Sequence, residues 1–212
     1  GGHVFPCAIT IGTYAVARRR TDDSVRLYSL NYPENGMIQA SLRDLAYRKK
    51  DGWANYPKGV LQTFISKGCQ IPYGVEILYY GEIPKGLGIG SSASLGVVTG
   101  LILKELMELK DINMVDIALF TQLAENEYIG AGSGIMDPFT IAMGKKNHAI
   151  FLDTSDLSYI YAPLLLPHEK IIITNSQKSR LAVDERYQER RAQCEQALKE
   201  LQRVVAIRDL GE

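Results

Sequence analysis

The chain has 212 residues, 46% apolar and 23% charged, the mix of a soluble globular protein with room for one large domain or one and a half small ones. Its 24 Lys and Arg balance 24 Asp and Glu, which removes the electrostatic case for a nucleic acid or an anionic membrane as partner. No apolar run approaches the ~20 residues that span a bilayer; Leu95 to Leu103 comes nearest, and Lys104 and Glu105 end it.

In chain order, Val4 to Ala8 and Gly12 to Arg19 read as β-rich runs, with Asp22-Asp23 as the turn that follows. Val25 to Asn31 alternates as a strand facing two environments. Asn55 to Lys67 reads as a helix with Val60, Phe64 and Ile65 on one face. Val75 to Ile83 is a strand closed by Pro84, which cannot donate to a sheet ladder. A glycine-rich loop leads into a helix from about Ser91 to Glu108 with an apolar stripe of Leu95, Val98, Ile102 and Leu106. Its first half carries no charge, so it should be buried. A helix from Met114 to Tyr128, a glycine-rich turn and a short helix from Pro138 to Met143 come next. Strands are expected at Ala149–Leu152 and Lys170–Thr174, and a last helix from Asp184 to about Val205. Strands first and helices later, without strict alternation, give an α+β layer rather than a doubly wound sheet.

Cys7, Cys69 and Cys194 are odd in number and share no metal-ligand spacing, which suits free thiols in a reducing cytoplasm, the expected location. The chain opens on Gly1-Gly2-His3 without a signal-peptide pattern and stops at Gly211-Glu212 just after a helical stretch. A fragment is expected.

The most specific feature is Pro84-Lys85-Gly86-Leu87-Gly88-Ile89-Gly90-Ser91-Ser92-Ala93-Ser94. Alternate glycines let a backbone come close to a ligand and take positive φ. The helix start that follows offers unpaired N–H groups and positive dipole, which suits phosphate, and Ser91 and Ser92 add hydroxyls. It is neither a Walker loop nor a dinucleotide fingerprint. The competing reading is a plain turn capped by Ser91 or Ser92.

This loop resembles the phosphate-binding motif of the GHMP kinases, with Gly90 where galactokinases usually have a serine. Other stretches resemble galactokinases in the same order: Gly1 to Ile9, Trp53 to Val60, Glu125 through Phe139, and Asn175-Ser176 with Glu185 to Arg191. The resemblance implies a galactokinase, with ATP and galactose as small-molecule substrates and Mg²⁺ as cofactor, working as a monomer. The alternatives are a non-catalytic galactose and ATP sensor, or an N-acetylgalactosamine kinase. The implied fold is an α+β GHMP-kinase-like (ribosomal protein S5 domain 2-like) N-terminal domain, a mixed sheet packed by helices. That domain would span residues 1–164 without its first strands, with the start of a second α+β domain over 165–212.

The resemblance also assigns residues. Gly86, Gly88, Gly90, Ser91, Ser92 and Trp53 would bind ATP, Trp53 near the adenine. Ser92 and Glu125 would hold Mg²⁺, Asp137 would be catalytic, and Gly134, Asp137 and Tyr187 would contact the sugar. Each has a plainer reading beside it. Glu125 can be a solvated helix carboxylate, although two residues along a helix is about 200° of rotation, so it and Glu127 cannot share one site. Asp137 before Pro138 makes a good N-cap and first-turn pair, and Tyr187 can be a core tyrosine. The family's Arg and acidic sugar contacts lie upstream of the stretch matching Gly1. The 212 residues alone are therefore expected to be inactive.

Overall fold

The computed structural model describes residues 2–84, 87–174 and 180–211, the side chains of 180–188 excepted. The elements are β1 (His3–Val4), β2 (Thr13–Arg19), β3 (Ser24–Ser29), β4 (Ile38–Ser41), α1 (Asn55–Ser66), β5 (Val75–Gly81), α2 (Ser91–Leu106), α3 (Met114–Leu123), α4 (Met136–Met143), β6 (His148–Asp153), β7 (Tyr159–Pro163) and α5 (Arg180–Leu201). A 3-10 segment, Lys49–Ala54, leads into α1, and a π-helical turn, Ala124–Ile129, continues α3. The chain divides into two compact units: Ala8–Met143, and Gly1–Cys7 with Gly144–Glu212.

In the Ala8–Met143 unit four strands form a mixed sheet in the order β2-β5-β3-β4. β3 and β5 run parallel, and the other pairs are antiparallel. The register explains the core. Val25 lies beside Val75, Leu27 beside Ile77 and Ser29 beside Tyr79, and all six are buried. Successive side chains on a strand alternate between faces, so one face of the sheet collects these rows while Arg18, Glu76 and Arg26 fall on the other. The helices supply the opposite wall of the core, with Val60, Leu61 and Phe64 from α1, Val97 and Leu103 from α2, and Ile117 from α3. The mixed α+β architecture expected from the sequence is therefore what forms.

Two polar links run through this core. The Tyr79 hydroxyl on central strand β5 meets Thr99 Oγ1 on α2 at 2.9 Å. Below α1, the Lys58 ammonium is buried against Asp51 Oδ2 at 2.7 Å and also donates to the Ala46 carbonyl at 2.6 Å. Asn55 joins this cluster by accepting from the Arg48 N–H and donating to the Arg48 and Gly52 carbonyls. The segment before α1 is thereby clamped to the helix by charge and amide together.

In the other unit β1, β6 and β7 form an antiparallel sheet in the order β1-β6-β7. β7 corrects the sequence reading, which expected a strand at Lys170–Thr174. Residues 170–174 form no strand, and Ile171, Ile172 and Ile173 are exposed. Apolar β-branched residues favour a strand only when a neighbour completes the ladder, and among the described residues none pairs there. Elsewhere the differences are smaller. The first run shortens to His3–Val4, and α5 ends at Leu201 rather than near Val205. Short β4 lacked a sequence signal. On α1 the expected Ile65 is exposed. On α2 the fully buried face is Ala93, Gly96, Val97, Gly100 and Leu103 rather than the larger Leu95–Leu106 stripe, which packs at its margin.

The buried ion pair yields a stability prediction. Asp51→Ala leaves the Lys58 ammonium buried without its counter-charge, and breaking a buried pair from one side costs about 3–5 kcal/mol. Lys58→Met/Asp51→Leu, which removes both charges, should recover most of that loss. Urea unfolding of the three proteins checks this. Equal stability of Asp51→Ala and the parent would show that the pair contributes nothing.

Candidate active site

Helix α2 begins at Ser91, and its N-cap is Gly90 in the left-handed conformation, φ 74° and ψ 29°. Gly88 is also left-handed, at φ 67°. These angles are inexpensive only for glycine. An N-cap residue ordinarily lends a side-chain oxygen to the first N–H groups; Gly90 has none, and no side chain caps this helix. The reading of Ser91 or Ser92 as caps is thus not realised. Both sit within the first turn, half-buried, beside N–H groups and a dipole end that favour an anion. The turn is held by Ser94, whose Oγ donates to Thr13 Oγ1 on β2 at 2.9 Å. Gly88 is exposed, and a Cβ there would meet nothing within 4 Å. Gly86 lies outside the described residues.

Asp137 stands next to this helix end. A Cβ on Gly90 would lie 3.3 Å from Asp137 Oδ2 and 3.4 Å from its Cβ and Cγ. The expected N-cap role is corrected. The Phe139 N–H donates to the Ile135 carbonyl at 3.0 Å, and α4 starts at Met136, so Ile135 is the cap and Asp137 lies in the first helical turn. A carboxylate there still gains from the dipole of its own helix. Its half-buried side chain is aimed at the start of α2.

Glu125 reaches the same region through the register of α2 against α3. A Cβ on Gly96 would lie closer than 3.0 Å to Thr121, and one on Gly100 closer than 3.0 Å to Ile117. Numbers rise along α2 as they fall along α3, so the helices are antiparallel. Carried one further turn toward the start of α2, the same register runs from the Gly96–Thr121 contact toward Ser92 and Glu125. Glu125 lies in the π-helical turn that continues α3, four residues after Thr121. Glu125 is 4% exposed, and its Oε1 has no hydrogen-bond partner. A buried carboxylate oxygen without a donor is costly, and a cation removes that cost. Glu127 is exposed, in line with the opposed faces read from the sequence. One carboxylate and one hydroxyl near an uncapped helix end are a donor set that could hold Mg²⁺, which takes one or two carboxylates and leaves the rest to phosphates and water. Among the described residues no three His, Cys, Asp or Glu side chains form a ready-made metal cage.

The loop from Glu125 to Asp137 is fastened by two residues the sequence reading passed over. Gln122 Nε2 and Asn126 Nδ2 both donate to the Ser133 carbonyl, at 3.3 and 3.0 Å. Their i,i+4 spacing ahead of a glycine-rich turn was the available signal. Gly134 is exposed in this loop. Trp53 lies in the 3-10 segment that leads into α1. It packs between Tyr32, with ring centroids 6.3 Å apart, and Tyr79, 5.7 Å away. Through the Tyr79–Thr99 bond it is linked to the middle of α2. Its Nε1 is buried without a partner. Tyr187 belongs to α5, but its side chain lies outside the described residues, as do Asn175 and Ser176.

Comparison with known proteins shows what the chain resembles in sequence and fold. Residues 55–145 match the GHMP kinases N terminal domain. The chain is 55% identical over its full length to a galactokinase of Clostridium acetobutylicum and 52% identical to one of Clostridium beijerinckii, covering 54% of each. The crystal structure of Lactococcus lactis galactokinase complexed with galactose superposes on all of this chain with a TM-score of 0.87 at 37% identity, again over 54% of that chain. Methanococcus jannaschii mevalonate kinase, at 18% identity and a TM-score of 0.59 over 74% of this chain, shares the fold. The chain spans about half the length of the galactokinases it matches. Residues 55–145 thus carry the GHMP kinase N-terminal domain, and the chain is similar to galactokinases along its whole length. Among the described residues no helix is long and apolar enough to cross a membrane.

The loop geometry sets one expectation. Gly88→Val places a β-branched residue at positive φ, at a cost of about 1–3 kcal/mol, and projects its side chain into open space. The full-length variant should lose ATP affinity far beyond what that strain explains. Calorimetry showing parental ATP affinity would remove the loop from the nucleotide site.

Proposed function

We propose that this chain is the central part of a galactokinase, in which the γ-phosphoryl group of ATP passes to the C1 hydroxyl of D-galactose. The observation that carries the reading is the carboxylate of Asp137 beside Gly90, at the uncapped start of α2. An acceptor for a hydroxyl proton and a cradle for phosphate thus share one small region. The relationship to galactokinases along the full chain, one of them solved with galactose, supports the choice of sugar.

In this reading the backbone N–H groups of Gly86, Gly88, Gly90, Ser91 and Ser92 hold the nucleotide phosphates. Asp137 orients the C1 hydroxyl and takes its proton as the oxygen attacks the γ-phosphorus. The bond from that phosphorus to the bridging β-γ oxygen breaks, and ADP leaves. Such transfers depend on positioning and charge neutralisation more than on covalent help. Ser92 Oγ and the Glu125 carboxylate would hold Mg²⁺, which would supply neutralisation of phosphate charge. Gly134 lets the sugar come close to the backbone, the Tyr187 hydroxyl contacts it, and Trp53 lies by the adenine. Residues 1–164 belong to the N-terminal domain and 165–212 open the next one. The complete protein works as a cytoplasmic monomer on its two small-molecule substrates.

Asp137→Asn separates chemistry from structure. The amide loses the favourable charge near the start of α4, worth about 0.3–1 kcal/mol, so the thermal midpoint should fall little. A general base contributes about 10²–10⁴-fold in rate, so galactose-dependent ADP release by the complete protein should fall by that factor. A stable variant with parental turnover would leave Asp137 a structural residue only.

A further inference from the structure

Helices α2 and α3 meet closely at two glycines of α2. Helices in contact ordinarily stand 8–10 Å apart, at a distance set by the side chains between them. Here Gly96 meets Thr121 so closely that even a methyl group would overlap the threonine, with its Cγ2 the nearest atom. The pair lies four residues, about one turn, from Ser92 on α2 and from Glu125 on the π-helical continuation of α3. Serine is a short side chain. If Ser92 Oγ and the Glu125 carboxylate are to ligate one ion, their helices must run close, because Mg²⁺ demands oxygen ligands at about 2.0–2.1 Å in near-octahedral geometry.

We infer that Gly96 and Thr121 are positioning residues that set the helix spacing, and so the distance between Ser92 and Glu125 across the metal. This rests on the metal reading of those two residues given above. A Cβ at 96 forces the helices apart by an amount on the order of 1 Å, a displacement that octahedral coordination does not absorb. The ion thus requires the glycine in addition to the packing. Gly100 offers the contrast. A Cβ there would also come within 3.0 Å of a neighbour, Ile117, but one turn farther from the site.

The test uses the complete protein with a non-hydrolysable ATP analogue and Mn²⁺ as the probe ion, titrated by electron paramagnetic resonance. Nucleotide affinity without metal is measured by calorimetry. Gly96→Ala should weaken Mn²⁺ binding about 10-fold or more while metal-free nucleotide affinity holds. Gly100→Ala should lower the melting temperature comparably yet keep Mn²⁺ affinity within about twofold. Thr121→Ser removes the overlapping Cγ2, so Gly96→Ala/Thr121→Ser should return to parental affinity. Parental Mn²⁺ binding by Gly96→Ala, equal losses from the two glycines, or no recovery in the double variant would each overturn the inference. Should Gly96→Ala fail to accumulate, the double variant decides alone, since a folded protein that still binds Mn²⁺ weakly contradicts the spacing argument. Glu125→Gln distinguishes the two levels. If it weakens Mn²⁺ and Gly96→Ala does not, only the spacing fails; if Glu125→Gln has no effect, the metal reading itself is wrong and the inference falls with it.

Discussion

Helix α2 has to satisfy two opposed demands. To hold a ligand rigidly it must be packed on several sides, and to receive one its first turn must stay open. The close approach to α3 at Gly96 and Gly100 resolves this. It buries the middle of the helix without large side chains, so Val97 and Leu103 can face the sheet core while the N-terminal turn projects past the packing. Hydrogen bonds of Ser94 to Thr13 and of Thr99 to Tyr79 then fix the helix to strands β2 and β5. A helix held in this way keeps the orientation of its dipole and N–H groups before any ligand arrives, which is the condition for electrostatic preorganisation.

The remaining groups are delivered by elements that meet that turn. The π-helical turn brings Glu125 into a buried position with an unpaired oxygen. Such turns cost regular helix geometry and recur at functional sites. The following loop could wander, since Gly130 and Gly132 are left-handed, but two amides grip the Ser133 carbonyl and hand the chain on to α4 in a fixed position. Asp137 then arrives in the first turn of α4 against Gly90. The buried Lys58–Asp51 pair does a similar service below α1, whose Gly59 lies against the Tyr128 ring of the π-helical turn.

Much of this was legible in the sequence because its cause is local. Strand alternation in Val25–Asn31, the strand Val75–Ile83 with its break at Pro84 and the uncharged start of α2 each follow from neighbouring residues, and the structure keeps them with the strands shortened to Ser24–Ser29 and Val75–Gly81. The glycine loop and the opposed faces of Glu125 and Glu127 were legible for the same reason. What escaped depends on partners distant in sequence. The small residues Gly96 and Gly100 of α2 are buried because α3 approaches there, and only the tertiary register shows that. Residues 170–174 look like a strand in composition but find no ladder among the described residues, whereas Tyr159–Pro163 pairs with β6. Asp137 before Pro138 suggested a cap, but the helix starts two residues earlier because the Ile135 carbonyl takes the first bond.

The central claim is that the open turn of α2 holds the nucleotide phosphates, with Glu125 and Asp137 as its two carboxylate neighbours. The most direct measurement is a crystal structure of the complete protein with a non-hydrolysable ATP analogue, Mg²⁺ and galactose. The account predicts phosphate oxygens on the N–H groups from Gly88 to Ser92, one Mg²⁺ ligated by Ser92 and Glu125, and the Asp137 carboxylate in hydrogen-bond reach of the sugar C1 hydroxyl. Phosphates bound away from α2, or a sugar whose C1 hydroxyl lies out of reach of Asp137, would contradict it.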